Sequence, residues 1–285
     1  MKLLWLSALS CNGNVHSFFN YEKIDSFLKS FTFIYHPAIE SDYTLQDIVK
    51  KDIPCDILLL EGTLQEGLQK AGVDIEDLIF RYGNKVKKII TVGTCASFGG
   101  IFLDSEEKYG LHYRKKEPHD KFISLKEKTI NIPGCPIHPQ TLASILYSIK
   151  KEFEIPLDPY QRPKEFFAFT THNGCLRNEY FEYKVDNHQF GNIEGCMFYE
   201  HGCQGPFTNS SCNKILWNEV SSKTRSGHPC LGCTEPTFPK YNFFETKKHM
   251  GIPAHLPLGV PKRAYLSLAG VAKTFKIERF EKKLI

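Results

Sequence analysis

Cysteine and histidine side chains are concentrated between residues 172 and 233 of this 285-residue chain, which holds ten cysteines in all. Thiolates and imidazoles are the side chains that bind soft metal ions and iron–sulfur clusters. Their spacing divides them into a set of four and a set of three. The first set is His172, Cys175, Cys196 and Cys203, and the second is Cys212, Cys230 and Cys233. We interpret the segment as a site of electron transfer through iron–sulfur clusters.

Structural zinc is the alternative interpretation of the same side chains. His201 or His228 could join the set of three, which would give two sites with four ligands each. Against zinc, the segment has one Cys-x-x-Cys pair, Cys230–Cys233, and lacks paired knuckles of this type. The short spacing of cysteines among histidines, glycines and prolines favours metal over disulfide bonds. Spacing alone supports zinc and iron–sulfur about equally.

The first 150 residues or so alternate between short apolar or β-branched runs and helical patterns. The predicted strands are Leu3–Leu9, Phe31–Tyr35, Asp56–Glu61, Lys88–Val92 and Thr129–Ile132. The clearest predicted helix is Pro139–Phe153, in which apolar residues recur at helical spacing. This alternation predicts an α/β fold in which a parallel sheet carries helices on both faces.

Three more cysteines follow predicted strands, namely Cys11, Cys95 and Cys135. Parallel sheets place their sites just past the carboxyl ends of the strands. Each of the three lies next to glycine or other turn residues, and glycine lets the backbone approach a bulky inorganic group and donate hydrogen bonds to it. We therefore predict that these cysteines are ligands rather than core residues.

Composition indicates where the chain divides. A charged insertion lies between Phe102 and Lys128, and it predicts a solvated loop, with partner docking as the alternative. The polar, proline-containing stretch DPYQRPKEFF indicates a domain boundary. We predict a first domain over residues 1–160 and a second over residues 161–285. The second has little periodicity, so we expect it to be ordered by what it binds.

Charge and hydropathy limit the classes of partner and the cellular location that the sequence indicates. The net charge is +4 and the lysines are scattered, so no nucleic acid partner is indicated. The opening MKLLWLSALSC has some features of a lipoprotein signal, but it lacks a clear cleavage pattern and suits a buried strand equally well. No apolar run reaches the ~18 residues of a spanning helix, and the tail KTFKIERFEKKLI is amphipathic and charged. We expect no transmembrane anchor and a cytoplasmic location.

Motifs in both halves of the chain resemble one protein family. HNGC, EGCMFYEHGCQGPFTNSSC and SGHPCLGCTEP resemble the C-terminal half of the small subunit of [NiFe] hydrogenases. VGTCASFGGI and NIPGCPIHP resemble the N-terminal motifs of the same family. The resemblance runs in order from residue 3 to about residue 238. The related small iron–sulfur subunit of complex I shares the N-terminal plan but lacks the HPCLGC block.

The resemblance implies a flavodoxin-like N-terminal domain, an irregular cluster-binding C-terminal domain and three iron–sulfur clusters. It assigns to a proximal cluster, [4Fe–4S] or [3Fe–4S], the residues Cys11, Cys95 and Cys135. It assigns to a medial [3Fe–4S] cluster the residues Cys212, Cys230 and Cys233. It assigns to a distal [4Fe–4S] cluster the residues His172, Cys175, Cys196 and Cys203. Cys55 has no counterpart and is expected to be structural.

The resemblance also implies partners. Electrons from hydrogen oxidation at a nickel–iron site in a separate large subunit would pass through the three clusters to an acceptor, either a quinone or a redox protein. A hydrogen-sensing subunit of the same family is the alternative function. An oligomer of such heterodimers is expected.

One position departs from the family pattern. The family opens its proximal set with C-x-x-C, whereas this chain reads Cys11-Asn12-Gly13-Asn14. Asn14 could ligate a fourth iron through its carboxamide oxygen, or that corner could be empty, leaving a [3Fe–4S] cluster. Both alternatives remove a thiolate charge, which should raise the cluster potential. A third interpretation is that Asn14 caps the following helix.

Overall fold

The computed structural model describes residues 1–102, 104–183 and 185–239, together with positions 264, 267 and 271. The described chain separates into two compact units. Unit 1 consists of Met1–Phe169, Asn209–Ser211 and Gly232–Pro239, and unit 2 contains Thr170–Thr208 and Cys212–Leu231. Beyond Pro239, the predicted second domain lies outside the described residues except for these three positions. The amphipathic tail from Lys273 lies outside them as well.

A five-stranded parallel sheet forms the centre of unit 1. Its strands are β1 (Lys2–Ser7), β2 (Thr32–Tyr35), β3 (Ile57–Glu61), β4 (Lys88–Val92) and β5 (Thr129–Ile132). Their order in the sheet is β2-β1-β3-β4-β5, and every pairing is parallel. This is the flavodoxin-like order, in which the chain reverses direction across the sheet between β1 and β3. The α/β prediction is confirmed.

The strands are buried on both faces, which explains their nearly continuous apolar sequences. Residues Leu3–Leu6 and Ile57–Leu60 are fully buried. All five predicted strands are present, with bounds that differ from the predicted ones by two residues at most.

Helices connect the strands and cover the sheet. In unit 1 they are α1 (Gly13–Phe19), α2 (Ile24–Ser30), α3 (Leu45–Lys51), α4 (Ile75–Lys85), α5 (Thr94–Phe98), α6 (Pro139–Lys150) and α7 (Lys164–Phe167). In unit 2 they are α8 (Asn178–Glu182) and α9 (Phe198–His201). Helix α6 ends three residues before the predicted Phe153, because the backbone turns left-handed at Glu152 (φ 59°) and Phe153 is exposed. No helix in the described part of the chain combines the length and the hydropathy needed to cross a bilayer.

Short elements complete the fold. The two-residue antiparallel strands are Leu64–Gln65 with Lys108–Tyr109, Gln69–Lys70 with Val73–Asp74, and Tyr113–Arg114 with Glu117–Pro118. The 3₁₀ turns are Gly100–Phe102, Ile123–Lys128, Thr171–Gly174 and Gly205–Phe207.

The charged insertion is not the solvated loop that its composition predicts. Four of its apolar side chains are fully buried in the core of unit 1, namely Tyr109, Leu111, Phe122 and Leu125. Phe122 also packs against Phe80 of α4, with ring centroids 4.4 Å apart. The prediction was wrong because it gave more weight to the many charged residues of the insertion than to its apolar residues. Tertiary packing buries those apolar residues.

Unit 2 contains little regular structure, as expected from its composition. Its described apolar core is small and is made largely of the segment around α9. The core residues are Cys196, Met197, Phe198, Tyr199, Cys203 and Cys230. Three of these six are predicted cluster ligands, so the described core of unit 2 forms around its thiols.

Candidate iron–sulfur sites

The three N-terminal cysteines follow strands of one sheet. Cys11 follows β1, Cys95 lies in the first turn of α5 directly after β4, and Cys135 follows β5. Because parallel strands end at the same edge, the three cysteines share the carboxyl edge of the sheet. Cys11 and Cys135 are exposed and Cys95 is half-buried. This edge is therefore where the predicted proximal set lies.

Glycines leave space around two of these thiols. A Cβ built on Gly13 would lie 3.2 Å from the Sγ of Cys11. One built on Gly100, whose φ is +55°, would lie 2.5 Å from the Sγ of Cys95. The absence of a side chain at these two positions keeps the sulfur atoms accessible, which suits ligands of a bulky inorganic group.

The thiol of Cys95 experiences two opposing influences. Burial raises its pKa, and a hydrogen bond from the backbone of Ile101 offsets part of that rise. A donor aimed at sulfur favours the thiolate, which is the form that binds iron.

Asn14 is buried, with 8% of its surface exposed, and it lies inside α1 rather than at its start. The N-cap of α1 is Asn12, whose side chain makes no capping hydrogen bond. The capping interpretation of Asn14 is therefore wrong. Its carboxamide is hydrogen-bonded at both ends instead. The Nδ2 donates to the carbonyl oxygen of Val92 (3.3 Å), and the Oδ1 accepts from the backbone N–H of Ile137 (3.0 Å).

All four residues of the predicted distal set line one cavity of unit 2. The 3₁₀ turn Thr171–Gly174 carries His172 and leads directly into Cys175, and helix α9 lies between Cys196 and Cys203. In the described part of the chain, no three histidine, cysteine or acidic side chains lie close enough together to hold a single metal ion. The four residues of the predicted distal set share the lining of one cavity without forming such a group.

Backbone N–H groups point at three of these sulfur atoms. The amide of Arg177 donates to Cys175 (3.4 Å), that of Phe198 to Cys196 (3.4 Å), and that of Cys230 to Cys203 (3.3 Å). Hydrogen bonds to sulfur are among the features by which proteins set the potential of iron–sulfur clusters. The three cysteines of the predicted distal set therefore each accept a backbone hydrogen bond of the kind that tunes a cluster.

Burial has a strong effect on two of these thiols. It raises the pKa of Cys196 to about 11, and it raises the pKa of Cys203 further. Without a metal, such thiols stay protonated and unreactive at neutral pH, whereas coordination deprotonates a thiol outright.

Sequence reasoning missed one residue of this cavity, Arg177. It is 5% exposed, and its guanidinium donates to backbone carbonyl oxygens of the surrounding loops. The acceptors are Thr224 (2.7 Å), Gly195 (2.7 Å), Glu194 (3.3 Å) and Asn192. The available signal was an arginine two residues after a predicted ligand, in Cys175-Leu176-Arg177. A buried cation thus lies in the wall of the distal cavity.

The predicted medial set is divided between the two units. Cys212 and Cys230 belong to unit 2, and Cys233 belongs to unit 1. Cys230 is buried beside Cys203, whereas Cys212 and Cys233 are half-buried. Cys55, predicted to be structural, is half-buried at the core of unit 1, where burial raises its pKa to about 12.

Both halves of the chain match known families. Residues 11–149 match the family described as NADH ubiquinone oxidoreductase, 20 Kd subunit, and residues 167–245 match the family of the C-terminal part of the NiFe/NiFeSe hydrogenase small subunit. The periplasmic [NiFe] hydrogenase small subunit of Solidesulfovibrio fructosivorans is 37% identical over 54% of this chain and 48% of its own length. The F420 non-reducing hydrogenase II small subunit of Methanosarcina mazei is 31% identical over 70% of this chain and 58% of its own. The chain thus spans about half the length of these curated relatives.

Solved structures give the same result. A reduced, active form of the Ni-Fe-Se hydrogenase from Desulfomicrobium baculatum superposes with a TM-score of 0.73 at 25% identity, over 86% of this chain and 99% of that one. The Actinobacterial-type NiFe-hydrogenase from Ralstonia eutropha H16 shares the fold, with a TM-score of 0.74 at 22% identity over 96% and 90% of the two chains. The sheet order, the placement of the cysteines and the matches to both halves lead to one conclusion: the chain belongs to the small-subunit family of [NiFe] hydrogenases.

Proposed function

We propose that this protein carries electrons from a [NiFe] site in a separate large subunit to an acceptor, as the iron–sulfur small subunit of a hydrogenase. The observation that carries the proposal is the distal cavity, where one histidine and three cysteines surround a single space and backbone N–H groups point at all three sulfurs. Iron–sulfur clusters, when bound, supply one-electron transfer. The chain's contribution is to hold them, orient their ligands and donate hydrogen bonds to them.

We assign ligands to three clusters on this basis. The distal [4Fe–4S] cluster would be held by His172, Cys175, Cys196 and Cys203. The medial [3Fe–4S] cluster would be held by Cys212, Cys230 and Cys233. The proximal cluster would be held by Cys11, Cys95 and Cys135 at the carboxyl edge of the sheet. The chemistry of these side chains supports the assignment, since thiolate and imidazole are the ligands that such clusters use.

The distal cavity favours a cluster over zinc. A zinc ion draws its ligands in to about 2.0–2.3 Å, so the ligands of a zinc site lie close to one another. No three histidine, cysteine or acidic side chains of the described residues lie that close together. The four distal residues are spread around one open cavity instead. A multi-atom inorganic core therefore suits the site better than one ion.

The metal content of the complex, isolated under anaerobic conditions with its large subunit, tests the proposal. We expect iron and acid-labile sulfide in cluster proportion and little zinc. Two zinc ions with no iron would overturn the proposal in favour of a structural zinc protein. The predicted cytoplasmic location stays a prediction, and the relatives include a periplasmic protein.

A pair of substitutions tests the ligand assignment itself. Cys175→Ser should remove the distal [4Fe–4S] signal in electron paramagnetic resonance (EPR) spectra and leave the other signals in place. Cys55→Ser is the matched control, because Cys55 is also half-buried but lies in the hydrophobic core of unit 1. Loss of iron in the Cys55 variant, or full retention in the Cys175 variant, would contradict the ligand assignment.

A further inference from the structure

Asn14 contacts the segments that carry all three predicted proximal cysteines. It lies three residues after Cys11 on α1. Its Nδ2 donates to the carbonyl of Val92, the last residue of β4 and three positions before Cys95. Its Oδ1 accepts from the backbone N–H of Ile137, two positions after Cys135. One carboxamide therefore bridges three loops that are far apart in sequence.

The backbone around Asn14 is shaped to this side chain. A Cβ built on Gly93 would lie 2.4 Å from the Nδ2 and 2.8 Å from the Oδ1 of Asn14. Gly93 has a φ of +92°. Its lack of a side chain and its backbone conformation both allow the carboxamide of Asn14 to lie close to the backbone of Gly93. The main chain of Asn14 is held as well, because its N–H donates to the Oε1 of the buried Glu61 at 3.2 Å. Asn14 is thus held from three sides.

The chemistry of the contacts fits an amide. One end must donate to a carbonyl and the other must accept from an N–H, and asparagine does both. Aspartate lacks the donor, and a cysteine thiol is a weak donor and a weak acceptor. An iron ligand at this place would use the Oδ1, and one of the two lone pairs of this oxygen already accepts the hydrogen bond of Ile137.

We propose that Asn14 is a positioning residue that fastens the three cysteine-bearing loops to each other, and that it does not ligate iron. It occupies the place where the family has a fourth cysteine, and it replaces a covalent ligand by hydrogen bonds between the loops. The proposal rests on the proposed function in that it assumes a proximal cluster on these cysteines. Three thiolates would then be the whole protein ligand set of that cluster.

Hydrogen–deuterium exchange and EPR on the intact complex test this directly. Asn14→Ala should increase exchange at the amide of Ile137 and in the segments around Cys95 and Cys135, because their bridge is removed. The spin state and the nuclearity of the proximal cluster should be those of the unsubstituted protein. Asn20→Ala is the matched control, since the side chain of the exposed Asn20 donates to the carbonyl of His16 in its own helix (2.9 Å) and bridges no loops. It should change neither readout.

The isosteric Asn14→Asp keeps the test decisive if the alanine variant does not fold. A positioning role predicts a lower melting temperature, because the donor to Val92 is lost and a carboxylate oxygen faces a carbonyl oxygen. An iron ligand predicts in addition a changed proximal EPR signal and a lower proximal potential, because a charged oxygen would coordinate in place of a neutral one. A changed cluster type in Asn14→Ala, with unchanged exchange at Ile137, would also overturn the proposal. Failure of the proposed function would show differently, as the absence of any proximal signal in the unsubstituted complex.

Discussion

The hydroxyl of Thr94 donates a hydrogen bond to the backbone carbonyl of Cys233. The same hydroxyl accepts from the backbone N–H of Gly134 at 2.8 Å. Thr94 directly precedes Cys95, and Gly134 directly precedes Cys135. A single buried threonine therefore joins two loops of the predicted proximal set to a residue of the predicted medial set, all within unit 1.

Replacing this threonine by valine should loosen that junction. Thr94→Val keeps the shape but leaves the Gly134 N–H and the Cys233 carbonyl without their partner, which costs about 1–3 kcal/mol when the groups are buried. We expect a lower free energy of unfolding in denaturant and reduced iron content. Thr94→Ser retains the hydroxyl and should restore both. Unchanged stability and iron content in Thr94→Val would show that the hydroxyl does not hold this junction, and a loss in Thr94→Ser would show that the methyl group, which serine lacks, contributes as well.

The space beside Cys95 gives a second prediction. Gly100→Ala would place a Cβ 2.5 Å from the Sγ of Cys95 at a φ of +55°, so the thiol must move. Gly67→Ala is the matched control, because Gly67 has a similar φ of +68° but no neighbouring atom within 4 Å of the added Cβ. Both variants should lose about 1–2 kcal/mol to the left-handed backbone. Loss of proximal iron is expected for Gly100→Ala alone, and metal analysis with EPR would show it.

Arg177 should set the potential of the distal site. Its buried positive charge favours the more negative, reduced state of a neighbouring cluster. Arg177→Met should therefore lower the distal potential in an EPR-monitored redox titration. It should also destabilise unit 2 by about 1.5–3 kcal/mol, since hydrogen bonds from a charged donor are lost.

The conservative variant separates the two effects of Arg177. Arg177→Lys retains the charge but cannot reach all the carbonyls that the guanidinium contacts. It should show the destabilisation without the full shift in potential. An unchanged potential in Arg177→Met would show that this cation does not influence the cluster.

His36 makes the stability of unit 1 depend on pH. Burial lowers its pKa to about 4, and its ring lies 4.9 Å from the rings of Trp5 and Phe33. Its Nδ1 accepts a hydrogen bond from the N–H of Ala38 at 3.1 Å, which an imidazolium could not do. The unfolded chain takes up this proton near pH 6.5, above the pKa of the folded state. Stability should therefore be highest above about pH 6.5 and should fall as the pH decreases towards 4.

A substitution at the same site tests that dependence. His36→Phe keeps an aromatic ring against Trp5 and removes the titrating group. The loss of unfolding free energy between pH 7 and pH 5, measured in urea, should be smaller in the variant than in the unsubstituted chain. His112, whose pKa burial also lowers to about 4, would keep its share, so some pH dependence should remain. An unchanged loss in His36→Phe would show that His36 is not responsible.

The sequence by itself was sufficient to predict the sheet and the edge of the sheet at which Cys11, Cys95 and Cys135 lie. The apolar runs that became β1, β3 and β4 are local patterns, and a strand buried on both faces needs little else to be recognised. Once a parallel sheet is predicted, Cys11, Cys95 and Cys135 must meet at its carboxyl edge, because strand direction is shared. The four residues predicted to hold a distal cluster were likewise grouped from residue type and spacing, and they do line one cavity.

Only the tertiary structure decided what Asn14, Thr94 and Arg177 do. The hydrogen-bond partners of the Asn14 side chain are 78 and 123 residues away, and the acceptor of Thr94 is 139 residues away. Local propensity offered helix capping as one interpretation of Asn14, and composition predicted a solvated loop for residues 102–128. That interpretation and that prediction were wrong for one physical reason. The free energy of a buried polar or apolar group depends on which distant groups the fold brings against it, and local sequence patterns do not contain that information.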